Sequence, residues 1–495
     1  LYWLITVLYI ISMILIALVI SLSGGKKEKR KQQMKNESKV TYKRTIWHKI
    51  TLIGCLFSFF LVASYHFMSL KTVLEWTIPA IIISFSWNLF LTISSYFNPV
   101  YVKPEQKDLA QFRTAIVIPV FNEDKTIFKQ VLASLSTQTC LPDYIYIVED
   151  GSLPENKCED LFNEWKKDYA GQASYVYKAN AGKREAQAVA FRELEGKVDI
   201  FITIDSDTIL NEDAVAEGLY PFFDEQIMSV GGALMDYNNK DNFLTRSVGV
   251  SFVSAFSNGR SAYSRWKAVG VNHGCLAFYR SEVVYNYLEH YLSQIVFNQR
   301  AKFGDDRMLT QYASLMGSTV YQETSIGYTL NPTKLSHLLR QRSRWWRSFW
   351  WGGVWFLKHQ SPRKMAWWIQ LSHYISTGAY TPIFVAIYIY YPILQMEFPI
   401  VIYLYVIALS YIRNLRTLTF DRNDMSKKRQ ILSYLIFSPF STLLNLLICQ
   451  ILQIYGLLTV WKVANWGTRK NVEVSIAPTQ SKRISENVFS FKHPD

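Results

Sequence analysis

A chain of 495 residues, 49% of them apolar, is too long for one ordinary soluble domain, and its apolar residues gather into a few long blocks. Several uncharged runs near bilayer length exclude a plain soluble enzyme and point to a membrane protein. The net charge of +14 sits largely in runs beside those blocks with no nucleic-acid-binding fold around them, so anionic lipid headgroups are the expected partner and nucleic acid is not.

The first block, Leu1–Leu22, carries no charge and has the length of a transmembrane helix; its apolar run is too long for a signal core and no small-x-small cleavage site follows. Residues 23–45 form a basic linker, dense in Lys and Arg from Gly24 to Arg44. Ile50–Leu70 and Trp76–Phe97 then read as a membrane hairpin within residues 46–97. The segment 335–364, with arginines interleaved among tryptophans, suits amphipathic helices at the membrane interface. Met365–Leu394 and Phe398–Ile412 supply two more membrane helices over 365–412, and a basic loop follows at 413–430. Both basic stretches should face the cytoplasm, which places residues 98–334 there too. In the last apolar block, Ile431–Trp461, Pro439 is expected to split the run into two shorter helices that enter and leave on one side, leaving the tail 465–495 cytoplasmic. Cys55, Cys140, Cys158, Cys275 and Cys449 have the spacing of neither a metal site nor a disulfide framework and should be reduced.

Residues 98–334 alternate short apolar runs with polar helical stretches, the pattern of an α/β domain with a mostly parallel sheet. Strands are expected at Ala115–Val120, Tyr144–Val148, Ala173–Tyr177 and Val198–Ile204. Ligands bind at the carboxyl ends of such strands, and acidic and polar residues collect there: Asn122 and Glu123, Glu149 and Asp150, Asp205 and Asp207. The pair Asp205-x-Asp207 after a buried strand can share a hard cation, Mg²⁺ or Mn²⁺, that neutralises a diphosphate. Alone it is more often a turn than a metal site. Lys183 and Arg184 open a helix after Gly182, an arrangement that suits a phosphate as well as a solvated helix start. Asp305 and Asp306, in Gly-Asp-Asp-Arg, offer either a general base for an acceptor hydroxyl or a simple helix cap. Arg344 and Trp345, in Gln341-x-x-Arg-Trp, offer a diphosphate partner and a flat surface for a sugar ring.

Asp150, Asp205-x-Asp207, Asp306 and Gln341-x-x-Arg344-Trp345, in this order and flanked by membrane helices, resemble the processive family 2 glycosyltransferases, the cellulose, chitin, hyaluronan and related capsule synthases. The resemblance runs over roughly residues 75–471 and includes Trp466-Gly467-Thr468-Arg469, which looks like the family's gating loop. It implies a GT-A-type α/β domain inserted between transmembrane helices and a UDP-sugar-dependent hexosyltransferase of the plasma membrane. The enzyme would invert an α-linked donor into a β-linked polysaccharide and pass the growing chain across the membrane. By the same resemblance Asp150 contacts the base, with Asn122 and Glu123 shaping the nucleotide pocket; Lys183 and Arg184 approach the diphosphate; Asp207, supported by Asp205, holds Mg²⁺ or Mn²⁺. Asp306, or its neighbour Asp305, is the base; Gln341 and Arg344 meet the nucleotide sugar, Trp345 carries the acceptor, and Thr468 and Arg469 close over UDP. Hyaluronan synthases share the Gly-Asp-Asp-Arg and Trp-Gly-Thr-Arg motifs but differ at Gly259–Ser264 and at Asn272–Leu276, so His273 and Cys275 mark a different acceptor pocket. That difference favours a neutral β-glucan from UDP-glucose, with hyaluronan from UDP-N-acetylglucosamine and UDP-glucuronate as the alternative. A non-processive transferase acting on a lipid carrier would share Asp150 and the Asp-x-Asp pair but commonly lacks the Gln-x-x-Arg-Trp motif and the tail; a transporter would need none of the acidic set.

Overall fold

The computed structural model describes residues 40–41, 77–239, 241–395, 400–419 and 425–463. Strands β1 (Thr114–Val120), β2 (Tyr144–Asp150), β3 (Gln172–Lys178) and β4 (Ile200–Thr203) form at the four expected apolar runs. All pair in parallel, β1 lying between β2 and β4 and β3 outside β2. Strand β1 is covered on both faces, which is why it reads as an unbroken apolar run: Ile116, Ile118 and Val120 join one core, Ala115 and Val117 the other. Helix α2 (Lys125–Ser136) covers the first face with Ile127, Val131 and Leu135, whose four-residue spacing puts them on one side. Its start is fixed by the Asp124 carboxylate, which accepts the N–H groups of Thr126 and Ile127. Helix α3 (Lys183–Glu193) covers the second face with Ala186, Ala190 and Phe191; burying a ring such as Phe191 contributes about 2–3 kcal/mol.

Beyond β4 the sheet becomes mixed. Strands β5 (Ile209–Leu210), β6 (Ile227–Asp236), β7 (Ala277–Arg280) and β8 (Ser318–Thr329) complete eight strands in the order β3-β2-β1-β4-β7-β6-β8-β5. β7 runs antiparallel between β4 and β6, a departure from the largely parallel expectation. β6 contains Gly231 and Gly232 because the loop 272–276 lies directly on it: an added Cβ would come within 2.7 Å of Asn272 and 2.6 Å of Leu276 respectively. Helices α5 (Ser281–Ser293) and α6 (Asp305–Met316) pack on the same face as α3.

The helical half consists of α1 (Thr77–Tyr96), α4 (Phe243–Ser254), α7 (Leu335–His359), α8 (Met365–Val385, continued by a wider π-type stretch Ala386–Gln395), α9 (Ile400–Asn414) and α10 (Lys427–Leu458). Ile81 and Phe85 of α1 meet Ile383 and Ile387 and, across from them, Val406, Leu409 and Leu446. Polar groups are paired inside this bundle: Ser84 Oγ lies 2.7 Å from the Tyr405 hydroxyl, and Thr381 Oγ1 donates to Gln450 Oε1 at 3.1 Å. Among the described residues, α10 is the one helix long and apolar enough to cross a membrane by length and composition.

Two expectations need correction. Helix α10 runs unbroken through Pro439 over 32 residues, so the residue does not split the block. The carbonyl that Pro439 cannot bond, on Leu435, instead accepts the Tyr411 hydroxyl of α9 at 2.9 Å, which removes the main penalty of an internal proline. The second correction concerns residues 243–265, which belong by position to the α/β domain but pack into the bundle. Phe243 sits against Phe437 and Phe440, and Asn258 Nδ2 donates to Thr92 Oγ1 at 3.1 Å. The first membrane block, the basic linker and the leading helix of the hairpin lie outside the described residues.

The two halves are joined by an ion pair. Arg416, 4% exposed and just after α9, places Nη2 2.7 Å from Glu323 of β8 and donates from Nε to the Ser257 carbonyl at 3.0 Å. Arg416→Ala leaves the Glu323 carboxylate without its counter-charge and should cost about 3 kcal/mol, the lower end for breaking a buried pair because Glu323 keeps some contact with water. A clear drop in the melting temperature of the detergent-solubilised protein is the expected result.

Candidate active site

The loop after β1, the loop after β2 and the start of α3 are tied together before any ligand is considered. Asn122 adopts φ 47°, a left-handed conformation that Asn tolerates, and donates its N–H to Ser152 Oγ at 2.6 Å while its Oδ1 accepts Leu153 N–H at 2.9 Å. Asp150, 3% exposed, spends both oxygens on the turn that leads into α3: Oδ1 accepts Lys178 Nζ at 2.8 Å and Ala181 N–H at 3.0 Å, and Oδ2 accepts Gly182 N–H at 2.8 Å. Gly151 must be glycine here, since φ is +78° and a Cβ would stand 2.5 Å from Asn180 N. The turn delivers Lys183, the first residue of α3, to the centre of the site.

Lys183 Nζ lies 2.5 Å from Asp205 Oδ1 and 3.0 Å from Asp305 Oδ2. Burial opposes its charge, but Asp205 and then Asp305 outweigh that and hold its pKa well above the ordinary value. The other Asp205 oxygen accepts the Cys275 thiol at 3.2 Å. Burial, then Asp205 and Asp207, push that thiol far up, so Cys275 stays protonated. Glu123 accepts the Ser206 hydroxyl at 2.5 Å, which pins the middle residue of the Asp-x-Asp segment. His273 lies with Nε2 2.7 Å from the Gly232 carbonyl and its Nδ1 accepting Leu276 N–H at 3.1 Å; burial and then Arg260 lower its pKa to about 3, so the ring is neutral.

Gly304, at φ +77°, turns the chain into α6 where a Cβ would press 3.1 Å from Trp351 of α7. The helix therefore begins hard against α7, and Asp305 and Asp306 enter the site from its first turn. Asp305 faces Lys183, whereas Asp306 accepts its neighbour's N–H, from Arg307, at 2.7 Å. Burial, then the charge of Asp305, push the Asp306 carboxyl up to about 6, a value suited to a group that takes a proton near neutral pH.

A cavity of about 670 Å³ collects these groups. Glu123, Lys183, Asp205, Asp207, His273, Cys275, Asp305, Asp306, Gln341, Arg344 and Trp345 all line it, so the structure brings together most of the residues singled out in the sequence. The same cavity continues between the helices past Trp87 and Asn88 of α1, His373 and Thr377 of α8, and Asn445 and Gln450 of α10. Three expected site residues lie outside the lining of this cavity. Asn122 and Asp150 brace the loops around the site. Arg184 points away from it, 4% exposed, donating to the carbonyls of Tyr291 and Phe303 and to Gln294 Oε1 at 2.9 Å each, so it anchors α3 and does not approach a diphosphate. Thr468 and Arg469 lie outside the described residues. Sequence reasoning did not single out Arg260, Arg307 or the helix-borne Asn and Gln residues of the cavity. Polar side chains inside apolar helices were the available signal.

The family model for glycosyl transferase family 2 matches residues 115–288. The chain is 31% identical over 395 residues to a hyaluronan synthase of Streptococcus pyogenes, covering 78% of this chain and 88% of that protein. It is also 31% identical over 235 residues to an N-acetylglucosaminyltransferase of Sinorhizobium fredii, covering 47% and 56%. Among solved structures, a mannosyltransferase from Pyrobaculum calidifontis in complex with GDP-Man and Mn²⁺ is similar over 75% of this chain and 97% of that one, at 13% identity and a TM-score of 0.46. The α/β domain is that of a sugar-transferring enzyme of glycosyl transferase family 2. The chain belongs to the processive family 2 glycosyltransferases and is a hexosyltransferase.

The Asp306 carboxyl sets a pH dependence. With its folded pKa raised from 3.8 to about 6, the Asp306 carboxyl is unprotonated above that pH, as the role of base proposed for it requires. The pH profile of kcat/KM should be flat above 6 and fall about tenfold per pH unit below it. The same shift makes this group favour folding at low pH, a contribution that fades as pH rises through 6. Asp306→Asn should remove transfer and leave UDP binding within about threefold of the parent; loss of UDP binding would assign Asp306 to the nucleotide site instead.

Proposed function

We propose that the chain polymerises a UDP-sugar into a β-linked polysaccharide and passes the product between its own helices. One observation carries this reading: a single cavity runs from Asp306 into the helix bundle, so a chain elongated at the carboxylates has a way onward. In the transfer step the acceptor hydroxyl loses its proton to Asp306 and its oxygen bonds to the donor's anomeric carbon. The bond from that carbon to the diphosphate oxygen breaks, with the electron pair leaving on UDP. Direct attack of this kind inverts the anomeric centre.

Lys183, fixed beside Asp205, supplies positive charge where the diphosphate would lie. The donor set fits a divalent ion of the Mg²⁺ or Mn²⁺ kind: Asp207 and Asp205 offer carboxylates at one strand exit, and such ions take one or two carboxylates plus substrate phosphates. Bound there, the ion would neutralise charge on the leaving diphosphate. Trp345, 37% exposed toward the cavity beside Gln341 and Arg344, offers its ring face to the terminal sugar.

The proposed setting is the plasma membrane, with the α/β domain in the cytoplasm and α1, α8, α9 and α10 in the bilayer. Exposed Leu432, Leu435, Ile436, Phe440 and Leu458 along α10 support it, because an aqueous surface would not tolerate that stripe. Helix α8 fails a simple apolar test since His373, Ser376 and Thr377 line the cavity while Trp368 and Ile375 face outward. Lipid headgroups, the UDP-sugar and the growing polysaccharide are the partners. A neutral β-glucan from UDP-glucose remains compatible with the altered 259–264 and 272–276 segments. The hyaluronan-type product has the support of the relative that covers most of the chain. A single transfer onto a lipid carrier would leave the cavity among the helices without a use.

The decisive test offers UDP-glucose, UDP-N-acetylglucosamine and UDP-glucuronate, singly and in pairs, to the purified enzyme with Mn²⁺ or Mg²⁺ and sizes the product. Polymer should form, and release of a single glycoside would overturn processivity. Asp207→Asn should raise the metal concentration needed for half-maximal UDP binding at least about tenfold. Trp345→Ala should shorten the product more than it slows UDP release; unaltered length would leave Trp345 as a structural contact.

A further inference from the structure

Between α5 and α6 the chain makes an excursion, a β-hairpin that pairs Ile295 with Arg300 and Val296 with Gln299, before it returns to deliver Asp305 and Asp306. The guanidinium of Arg184 sits at the base of this excursion and holds both of its feet. Nη1 donates to the Tyr291 carbonyl and to Gln294 Oε1 on the outgoing side, and Nη2 donates to the Phe303 carbonyl on the returning side, each at 2.9 Å. All three acceptors are neutral oxygens, which makes the planar fork a spacer of fixed shape. Tyr291 is held to α3 a second time, its hydroxyl donating to Gln187 Oε1 at 2.6 Å, and Gln294 reaches α6 with Nε2 3.4 Å from Met308 Sδ.

The brace fixes the entry to the two acids of α6. The Phe303 carbonyl is the last one before Gly304, and glycine takes either sign of φ at little cost, so the +77° found there has to be imposed by its neighbours. On the far side α6 imposes it, the Met308 N–H donating to the Gly304 carbonyl at 3.1 Å. On the near side Arg184 imposes it at Phe303, whose own ring is buried in the core under α3. Lys183, one residue earlier, meets Asp205 and Asp305. The first two residues of α3 therefore hold the exit of β4 and the start of α6 at one spacing. That spacing matters for chemistry, because a misplacement of about 1 Å in a reacting group can cost about a hundredfold in rate.

We infer that Arg184 is a positioning residue for the transfer step: by bridging Tyr291 and Phe303 it sets where Asp306 stands relative to the donor, and it acts on chemistry without touching the nucleotide. This rests on the reading of Asp306 as the base and deepens it, since it assigns the second cation of the Lys183-Arg184 pair to the placing of that base and not to the diphosphate.

The test is a double-mutant cycle in the full chain in detergent. It is read as UDP release from a saturating mixture of UDP-glucose, UDP-N-acetylglucosamine and UDP-glucuronate and, separately, as affinity for UDP with Mn²⁺. Arg184→Gln should lower kcat at least about thirtyfold while UDP affinity stays within about threefold of the parent. Arg184→Lys keeps the charge, but one ammonium cannot span both feet as a fork does, so it should recover only part of the loss. Placed on Asp306→Asn, Arg184→Gln should change the residual rate by less than about threefold, because residues that act as a unit are not additive. A full loss on that background as well, or a UDP affinity that falls along with kcat, overturns the inference and leaves Arg184 as an anchor of the fold. So does a parent-like kcat in Arg184→Gln. If Arg184→Gln does not fold, Arg184→Lys is carried through the same cycle, where a kcat loss of at least about fivefold that vanishes on Asp306→Asn is expected and any other result overturns the inference. The reading of Asp306 fails separately: an Asp306→Asn variant that keeps its kcat would sink that reading, whereas an inactive one beside a parent-like Arg184→Gln would sink this inference alone.

Discussion

The ammonium of Lys183, lodged between Asp205 and Asp305, is the contact on which the site depends. It joins three segments far apart in sequence: the opening of α3, the exit of β4 and the opening of α6. A buried charge of this kind is stable only while paired, so each partner constrains the others. The surrounding structure is built to keep the lysine there. Asp150 clamps the turn before it, and Arg184, the next residue, locks α3 to the far wall through the Tyr291 and Phe303 carbonyls. Neighbouring basic residues thus do opposite things because successive side chains at a helix start point about 100° apart.

The same pairing distinguishes the two adjacent acids. Asp305 is committed to Lys183, which lets its charge act on Asp306 at short range without occupying the acceptor side. Asp306 gains proton affinity from burial and from that neighbour, while Asp305 preserves the link to the Asp-x-Asp segment. On the proposed reading one carboxylate tunes and the other reacts. Gly304 favours this, since its φ of +77° strains any other residue and a Cβ there would crowd Trp351 and Ser348.

How much of this was legible in the sequence follows from what each residue type can signal. β1, β2 and β4 were readable because strands buried on both faces must be continuously apolar, and β3 because it alternates; the acids just beyond them had few uses other than a site. β6 escaped notice because Gly231 and Gly232 weaken a strand pattern, although they are what lets the 272–276 loop lie on the sheet. Arg184 was expected at a diphosphate, but its chemistry is equally suited to bracing, and only the fold tells which. Pro439 was read as a break because local rules cannot foresee Tyr411, more than two turns of chain and a loop away, bonding the orphaned Leu435 carbonyl. Residues 243–265 looked like part of the α/β domain since sequence order does not reveal that a helix crosses to the bundle. The segments at the N-terminus and around Thr468 and Arg469 lie beyond the described residues, so their expected roles stay proposals.

Helices that surround a hydrated path face a conflict: they must be apolar outside and polar inside, which dilutes the hydropathy that marks a membrane span. In α8 the dilution comes from His373, Ser376 and Thr377, and in α10 from Asn445, Gln450 and Gln453, all on the cavity side. Bundles holding only their own core have no need of such residues. Their presence on two helices, opposite α1 with Asn88 and continuous with the carboxylates of the α/β domain, is best explained by a polar occupant that extends from the reacting sugar into the bundle.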